Sequence, residues 1–127
     1  MGRLAAIVIY CRDPYVAAPF WSLVLGQPPV AEDAEKLAGG GLADGESVLL
    51  RDPDGQQPDV WVSPHPEAGR VDATPPVHLD IQLDDLSELD ELVAAGAVPQ
   101  WTITEPHHWT VLAAPDGVLF CALHPRT

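Results

Sequence analysis

The strongest constraint in this sequence is an internal duplication, in which two stretches carry the same succession of elements. Each stretch begins with an apolar strand, at residues 4–11 and 77–83, and continues with a helix that ends at Gly26 or Gly96. Each then has further strands interrupted by a turn that contains proline, aspartate and glycine. A repeat of about 60–70 residues is too long for a solenoid unit and indicates a duplicated supersecondary module.

We expect the two modules to form one domain, because 127 residues is an ordinary length for a single domain. The first module takes residues 1–63, and the second takes residues 77–125. The segment between them, residues 64–76, is rich in proline, glycine and threonine, as is typical of a linker.

Caps and turns predict the elements of the first module. Asp13 is placed to cap a helix whose first residue is Pro14, a position at which proline is favoured. Residues 27–45 contain several glycines and prolines and are predicted as a loop. Strands are predicted at residues 46–51 and 59–63, on either side of an Asp-Pro-Asp-Gly turn.

The first strand of the second module alternates strictly between apolar and polar side chains. Because side chains alternate across a strand, the polar ones share one face and the apolar ones share the other. The polar face carries His78, Asp80 and Gln82, and the apolar face carries Leu79, Ile81 and Leu83.

The rest of the second module follows the order of the first. A helix is predicted to be capped by Asp84 or Asp85. Strands are predicted at residues 109–112 and 118–123, with a turn at residues 114–117 between them.

Charge and cysteine content narrow the possible partners and the compartment. Acidic residues outnumber basic ones by 19 to 6, for a net charge of -13. Nucleic acids and anionic membranes are bound through Lys and Arg, so we expect neither as a partner. Cys11 and Cys121 are too few for a disulfide framework, and we predict two reduced thiols in a cytoplasmic protein.

A strand, a helix and three strands, used twice, resemble the vicinal oxygen chelate (VOC) superfamily, and within it the glyoxalase-like domain proteins. The superfamily also includes bleomycin-resistance proteins and extradiol dioxygenases. The resemblance is carried by the Asp-Pro, Phe-Trp and Leu-Gly pairs of residues 13–26, by HLDIQLDDL at 78–86 and by WTVLAAPDGVLFC at 109–121. It implies an α+β fold in which two βαβββ modules form a curved mixed sheet with a cleft, often in a homodimer.

The resemblance also bears on metal binding. Metal-using members take their ligands from the first and last strands of each module, and the matching positions here are Ala6, Trp61, His78 and Cys121. A divalent site needs three or four donor side chains, and these four positions offer one good ligand, His78, and one possible thiolate, Cys121. We therefore predict no metal and no other cofactor, while a softer site from His78, Cys121 and Asp59 stays open.

His78 and Asp80 are the candidate catalytic residues. They are about 7 Å apart along one face of the strand, and the resemblance turns that face towards the cleft. A histidine beside a carboxylate can serve as a general base near neutral pH, or can form a purely structural hydrogen bond. Both interpretations stay open.

The candidate ligand-binding residues are those that the resemblance places along the cleft. Tryptophan can stack on a flat ligand or fill a core, and a cysteine can be a ligand contact or a small buried hydrophobe. His107 and His108 are adjacent in an extended segment, so only one, taken as His108, can face the cleft. The predicted set is Trp61, Gln82, His108, Trp109 and Cys121.

Three functions compete at this point. The favoured one is a metal-independent protein that binds or sequesters a small organic ligand. The alternative is a lyase or isomerase that uses His78 together with Asp80 or a bound divalent metal. The third is an interaction module without small-molecule chemistry.

Overall fold

The computed structural model describes residues 2–68, 76–114 and 119–126. Contacts divide the chain into two compact units. We call residues 6–77 the N-unit, and residues 78–126 together with residues 2–5 the C-unit.

The N-unit contains two helices and a three-stranded sheet. Its elements are β1 (Arg3–Cys11), α1 (Pro14–Leu25), α2 (Ala31–Gly39), β2 (Val48–Leu50) and β3 (Asp59–Pro64). β3 lies between the other two strands, parallel to β1 and antiparallel to β2. The core of the N-unit consists of buried residues from β1, α1, β2 and β3, among them Cys11, Ala18, Leu50 and Val62.

Helix α1 begins and ends where the sequence predicts. The Oδ1 of Asp13 accepts a hydrogen bond from the backbone N–H of Tyr15 at 2.9 Å, and Pro14 is the first helical residue. Gly26 ends the helix with a φ of 65°, a backbone conformation that glycine adopts without steric cost.

The prediction that residues 27–45 form a loop is wrong, because α2 occupies residues 31–39. This stretch contains three alanines, two glutamates and one lysine, residue types that favour helix, and Glu32 and Asp33 lie in its first turn. Asp33 is buried and accepts a hydrogen bond from the backbone N–H of Leu49 at 2.8 Å. Pro29, just before the helix, forms an isolated antiparallel bridge with Leu50 of β2.

The turn after β2 is organised by the buried carboxylate of Asp52. Its two oxygens accept hydrogen bonds from the backbone N–H groups of Asp54, Gln56 and Gln57 at 2.8–3.0 Å. These bonds, the one from Asp54 foremost, favour the ionised carboxylate and lower the pKa of Asp52. The predicted turn at residues 52–55 is confirmed, with Gly55 at a φ of 67°.

Asp52→Asn is expected to lower the urea midpoint of unfolding near neutral pH, because an amide offers one acceptor oxygen where the carboxylate offers two. Since the pKa of Asp52 is lower in the folded state, its carboxylate stabilises the fold above about pH 4, and the contribution is lost as the pH falls further. The difference between variant and wild type should therefore narrow in acid. Asp54→Asn, an exposed change in the same turn, is the control. An equal effect of both variants at every pH would contradict this role.

The C-unit has one helix and a four-stranded sheet. Its elements are β4 (Val77–Gln82), α3 (Glu88–Ala94), β5 (Val98–Ile103), β6 (Trp109–Ala113) and β7 (Leu119–Leu123). β7 lies between β4, to which it is parallel, and β6, to which it is antiparallel, and β5 follows on the far side of β6. Leu83, Ala97, Leu112 and Ala122 form its core, against which Leu89 and Leu92 of the helix segment pack.

Helix α3 begins later than predicted. Asp85 caps a preceding turn, through its Oδ1 and the backbone N–H of Ser87, and the helix itself starts at Glu88. The buried Glu88 reaches back and accepts hydrogen bonds from the backbone N–H groups of Asp84 and Asp85 at 2.9 and 2.8 Å.

The seven strands and three helices of the described residues confirm the predicted α+β class. The predicted turn at residues 114–117 lies outside the described residues apart from residue 114, and so do residues 69–75 of the predicted linker. None of the helices in the described part of the chain is long and apolar enough to cross a membrane.

Candidate functional site

The strand register of the C-unit gathers several predicted site residues on one face of its sheet. Asp80 on β4 lies opposite Cys121 on β7, and Trp109 on β6 lies opposite Leu123. Paired residues project to the same side of a sheet, and alternate residues of a strand share a side. The face that carries His78, Asp80, Gln82, Trp109 and Cys121 is called the site face below.

Three of these side chains form a cluster. The Nδ1 of His78 is 3.2 Å from the Oδ1 of Asp80, and the two side chains are only 13% and 14% exposed. Cys121 is buried beside them, and one ligand atom from each of the three residues lies within 4.8 Å of the other two. The structure therefore brings together a nitrogen, an oxygen and a sulfur donor.

The cluster favours positive charge at the imidazole of His78. Burial by itself lowers the pKa of His78, but the neighbouring carboxylate of Asp80 and the thiol of Cys121 outweigh it and raise the pKa to about 10. The surroundings of His78 are thus suited to a cationic group.

Gln82 and His108 are held differently from the cluster. The Nε2 of Gln82 donates to the backbone carbonyls of Leu83, Leu123 and His124 at 3.0–3.3 Å. The Gln82 side chain therefore links the end of β4 to the end of β7. The exposed His108 accepts a backbone hydrogen bond from His124 through its carbonyl oxygen.

The ring of His124, a residue outside the predicted site, is held in place by two neighbours. Its Nε2 lies 2.8 Å from the Oγ1 of Thr110, and its ring centroid is 6.2 Å from that of His108. Burial and the nearby His108 lower its pKa. Only the pairing of the C-terminal residues with β6 reveals this contact, and the sequence carries no local signal for it.

Trp101 is a second residue that the sequence reasoning missed. It lies on β5 opposite Val111, which in turn lies opposite Cys121, so the three residues form a row across the site face. A shift of register between Pro99 and Trp101 sets this alignment, and such irregularities change the direction of side chains.

Two of the residues considered for the site, Trp61 and Asp59, lie on β3 of the N-unit. Trp61 is half-buried on β3. Asp59 forms a two-point ion pair with Arg51, at 3.1 and 2.8 Å. This pairing occupies the carboxylate that was a possible third donor beside His78 and Cys121.

A divalent metal fits the donor set that the C-unit provides. Ala6 and Trp61 carry no ligand atom, but Asp80 supplies a donor that the four family positions do not include. Catalytic zinc sites typically use three protein ligands drawn from His, Cys and carboxylates, and keep one position open. His78, Asp80 and Cys121 match this pattern in number, chemistry and spacing.

Comparisons with known proteins agree with this architecture. The family model described as "Glyoxalase-like domain" matches residues 6–123. A search of curated proteins finds no match. A glyoxalase/bleomycin resistance protein/dioxygenase superfamily member from Vibrio splendidus 12B01 has a TM-score of 0.57 at 19% identity, covering 98% of this chain and 100% of that chain.

Two methylmalonyl-CoA epimerases also share the fold. The enzyme from Mycobacterium tuberculosis has a TM-score of 0.60 at 16% identity, covering 98% of this chain and 88% of that chain. The enzyme from Streptomyces coelicolor has a TM-score of 0.60 at 15% identity, covering 98% of both chains. Because the family model spans most of the sequence, the chain belongs to the glyoxalase-like domain family.

Proposed function

We propose that this protein is a metal-assisted lyase or isomerase that acts on a small organic molecule at the site face of the C-unit. The observation that carries the proposal is the convergence of three different ligand atoms, from His78, Asp80 and Cys121, within 4.8 Å of one another. Burying a carboxylate and an imidazole has a cost in free energy that an ordinary sheet surface avoids. A functional role would account for that cost.

The three residues of the cluster would act together as metal ligands in this proposal. His78, Asp80 and Cys121 would hold a divalent ion of the zinc class, for which nitrogen, oxygen and thiolate sulfur are all suitable ligands. When bound, such an ion polarises a carbonyl or hydroxyl oxygen of a substrate as a Lewis acid. The 3.2 Å contact with Asp80 also fixes the orientation of the His78 ring.

The aromatic residues of the same face suggest where the rest of a substrate would lie. Trp109 is half-buried on the site face, and Trp101 is 53% exposed in the row that leads from Cys121 across Val111. Tryptophan offers a large apolar surface that binds flat groups. We expect these two rings to contact the carbon skeleton of the substrate.

The structural neighbours supply a first reaction class to test. Two of them are named as methylmalonyl-CoA epimerases, and epimerisation is an isomerase reaction. At 15–16% identity they show the fold alone. For this chain, an isomerase that exchanges a proton next to a carbonyl group is therefore part of the proposal.

The proposal is tested first by metal content and then by proton exchange. Protein purified without chelators is expected to contain a stoichiometric divalent metal by elemental analysis. Proton NMR in D₂O with methylmalonyl thioesters and thiohemiacetals should then show loss of the signal of the proton next to the carbonyl. The His78→Ala variant should leave that signal unchanged.

Two results would count against the proposal in different ways. If the protein takes up no metal, even after incubation with Zn²⁺, the metal-assisted part of the proposal is wrong. Metal uptake with tryptophan fluorescence quenching by a compound, but with no exchange or turnover, would instead support the binding or sequestering function predicted from the sequence.

A further inference from the structure

The N-unit contains a cavity that the proposed function does not use. Its volume is about 660 Å³, and it is lined by Arg12, Gly45, Pro64, His65 and Pro66. The cavity is largely open to solvent, and its volume lies within the range of about 300–1,000 Å³ that is usual for small-molecule sites.

Arg12 brings a positive charge to the wall of this cavity. Its Nε donates to the backbone carbonyl of Ala68 at 3.1 Å, which fixes the direction of the guanidinium. Within the described ranges, Arg3, Lys36 and Arg51 form salt bridges, whereas Arg12 forms none with a carboxylate. The other guanidinium nitrogens of Arg12 therefore remain as donors for a ligand.

His65 adds a neutral donor. Its Nδ1 accepts a hydrogen bond from the backbone N–H of Glu67 at 3.0 Å. A neutral imidazole that accepts at one nitrogen carries its proton on the other, so the Nε2 of His65 is a donor. The backbone N–H of His65 donates to the carbonyl of Cys11, and its ring lies 4.8 Å from that of Tyr10, so both its backbone and its ring are held in place.

The remaining lining residues, Gly45, Pro64 and Pro66, carry no charge. None of the five lining residues is acidic, although the whole chain carries a net charge of -13. Pro64 and Pro66 give rigid apolar walls without backbone N–H groups. Gly45 has a φ of 78°, and a Cβ placed there would have no atom within 4 Å, so this side of the cavity is open.

We propose that this cavity binds the anionic group of a small organic molecule, a carboxylate or a phosphate, through the guanidinium of Arg12 and the Nε2–H of His65. The proline walls contact the apolar part of the same molecule. This site is separate in sequence and in residues from the cluster at His78, so either can fail without the other.

The test uses the intact protein and three probes: benzoate, phenyl phosphate and the uncharged benzamide. In ¹H–¹⁵N spectra, the Nε–H signal of Arg12 is expected to shift on titration with benzoate or with phenyl phosphate, and not with benzamide. A response to one anion alone identifies which of the two groups the cavity takes. Equal shifts with benzamide, or no shift with either anion, would overturn the proposal.

Variants separate local recognition from overall charge. Arg12→Gln is expected to weaken binding of the responding anion by about tenfold or more, because it removes charge-assisted hydrogen bonds to the anion. Arg126→Gln removes the same charge from an exposed position and should leave the affinity within about twofold. Equal losses in both variants would show a general charge effect and would refute the assignment to Arg12.

Discussion

His78→Ala is expected to reduce the affinity of the protein for Co²⁺ by more than about 100-fold, since changes in residues that only support metal ligands already cost about 10–100-fold. Cobalt is the appropriate probe because it occupies zinc sites and absorbs visible light when bound. Titration followed by absorbance measures binding without any substrate, so the result does not depend on finding the reaction.

The two other residues of the cluster make the measurement more specific. Cys121→Ser should remove the intense near-ultraviolet absorbance that arises from a thiolate bonded to cobalt, because a serine hydroxyl is a much weaker ligand. Asp80→Asn keeps the size of the side chain but removes its negative charge, and should weaken binding while the thiolate absorbance persists at saturation.

Cys11→Ser is the matched control for the thiol. Cys11 is also a buried free cysteine, but it packs in the core of the N-unit among apolar side chains. The variant should bind Co²⁺ with the same spectrum and affinity as the wild type. If Cys11→Ser loses the thiolate absorbance and Cys121→Ser retains it, the metal site is not the cluster on the site face.

The strand alternation at residues 77–83 was enough to place His78 and Asp80 on one face, but it did not show which face would be covered. Leu79, on the apolar side, is 44% exposed, whereas the polar pair is largely buried. Periodicity reports which side chains share a face. Whether a face is buried depends on which other elements pack against it, and the sequence of the strand itself does not show this.

The register that places Cys121 opposite Asp80 could not be predicted from the residues alone, for a related reason. Cys121 is 41 residues away and reaches Asp80 only through the parallel pairing of β4 with β7. Parallel pairs need long connections, and their register is not encoded by a local turn. The sequence therefore identified Asp59 as the possible third donor, while the structure pairs that residue with Arg51.

Helix α2 was missed for a different reason: within residues 27–45, some local signals favour a loop and others favour a helix. Prolines at 28 and 29 and the glycines at 39–41 indicated a loop, although the nine residues between Val30 and Gly40 favour helix. A helix this short is marginal by itself in water. Its buried Asp33, bonded to the backbone of β2, shows that tertiary contacts stabilise it.

Leu50→Ala is expected to lower the free energy of unfolding by about 2–5 kcal/mol, the usual cost of a large-to-small change in a packed core. Leu50 is 0% exposed and lies in the core of the N-unit. Its backbone carbonyl accepts a hydrogen bond from the buried Gln27, and this bond does not involve the leucine side chain. The variant therefore reports the loss of apolar packing alone, and urea unfolding followed by far-ultraviolet circular dichroism measures it.

Leu23→Ala is the matched control, because it makes the same chemical change in the same unit. The side chain of Leu23 is 82% exposed on α1, and alanine is at least as good a helix former as leucine. We expect its unfolding free energy to stay within about 0.5 kcal/mol of the wild type. If Leu23→Ala were as destabilising as Leu50→Ala, the exposed face of α1 would have to be packed against another surface in solution, and the core of the N-unit would extend beyond the residues assigned to it.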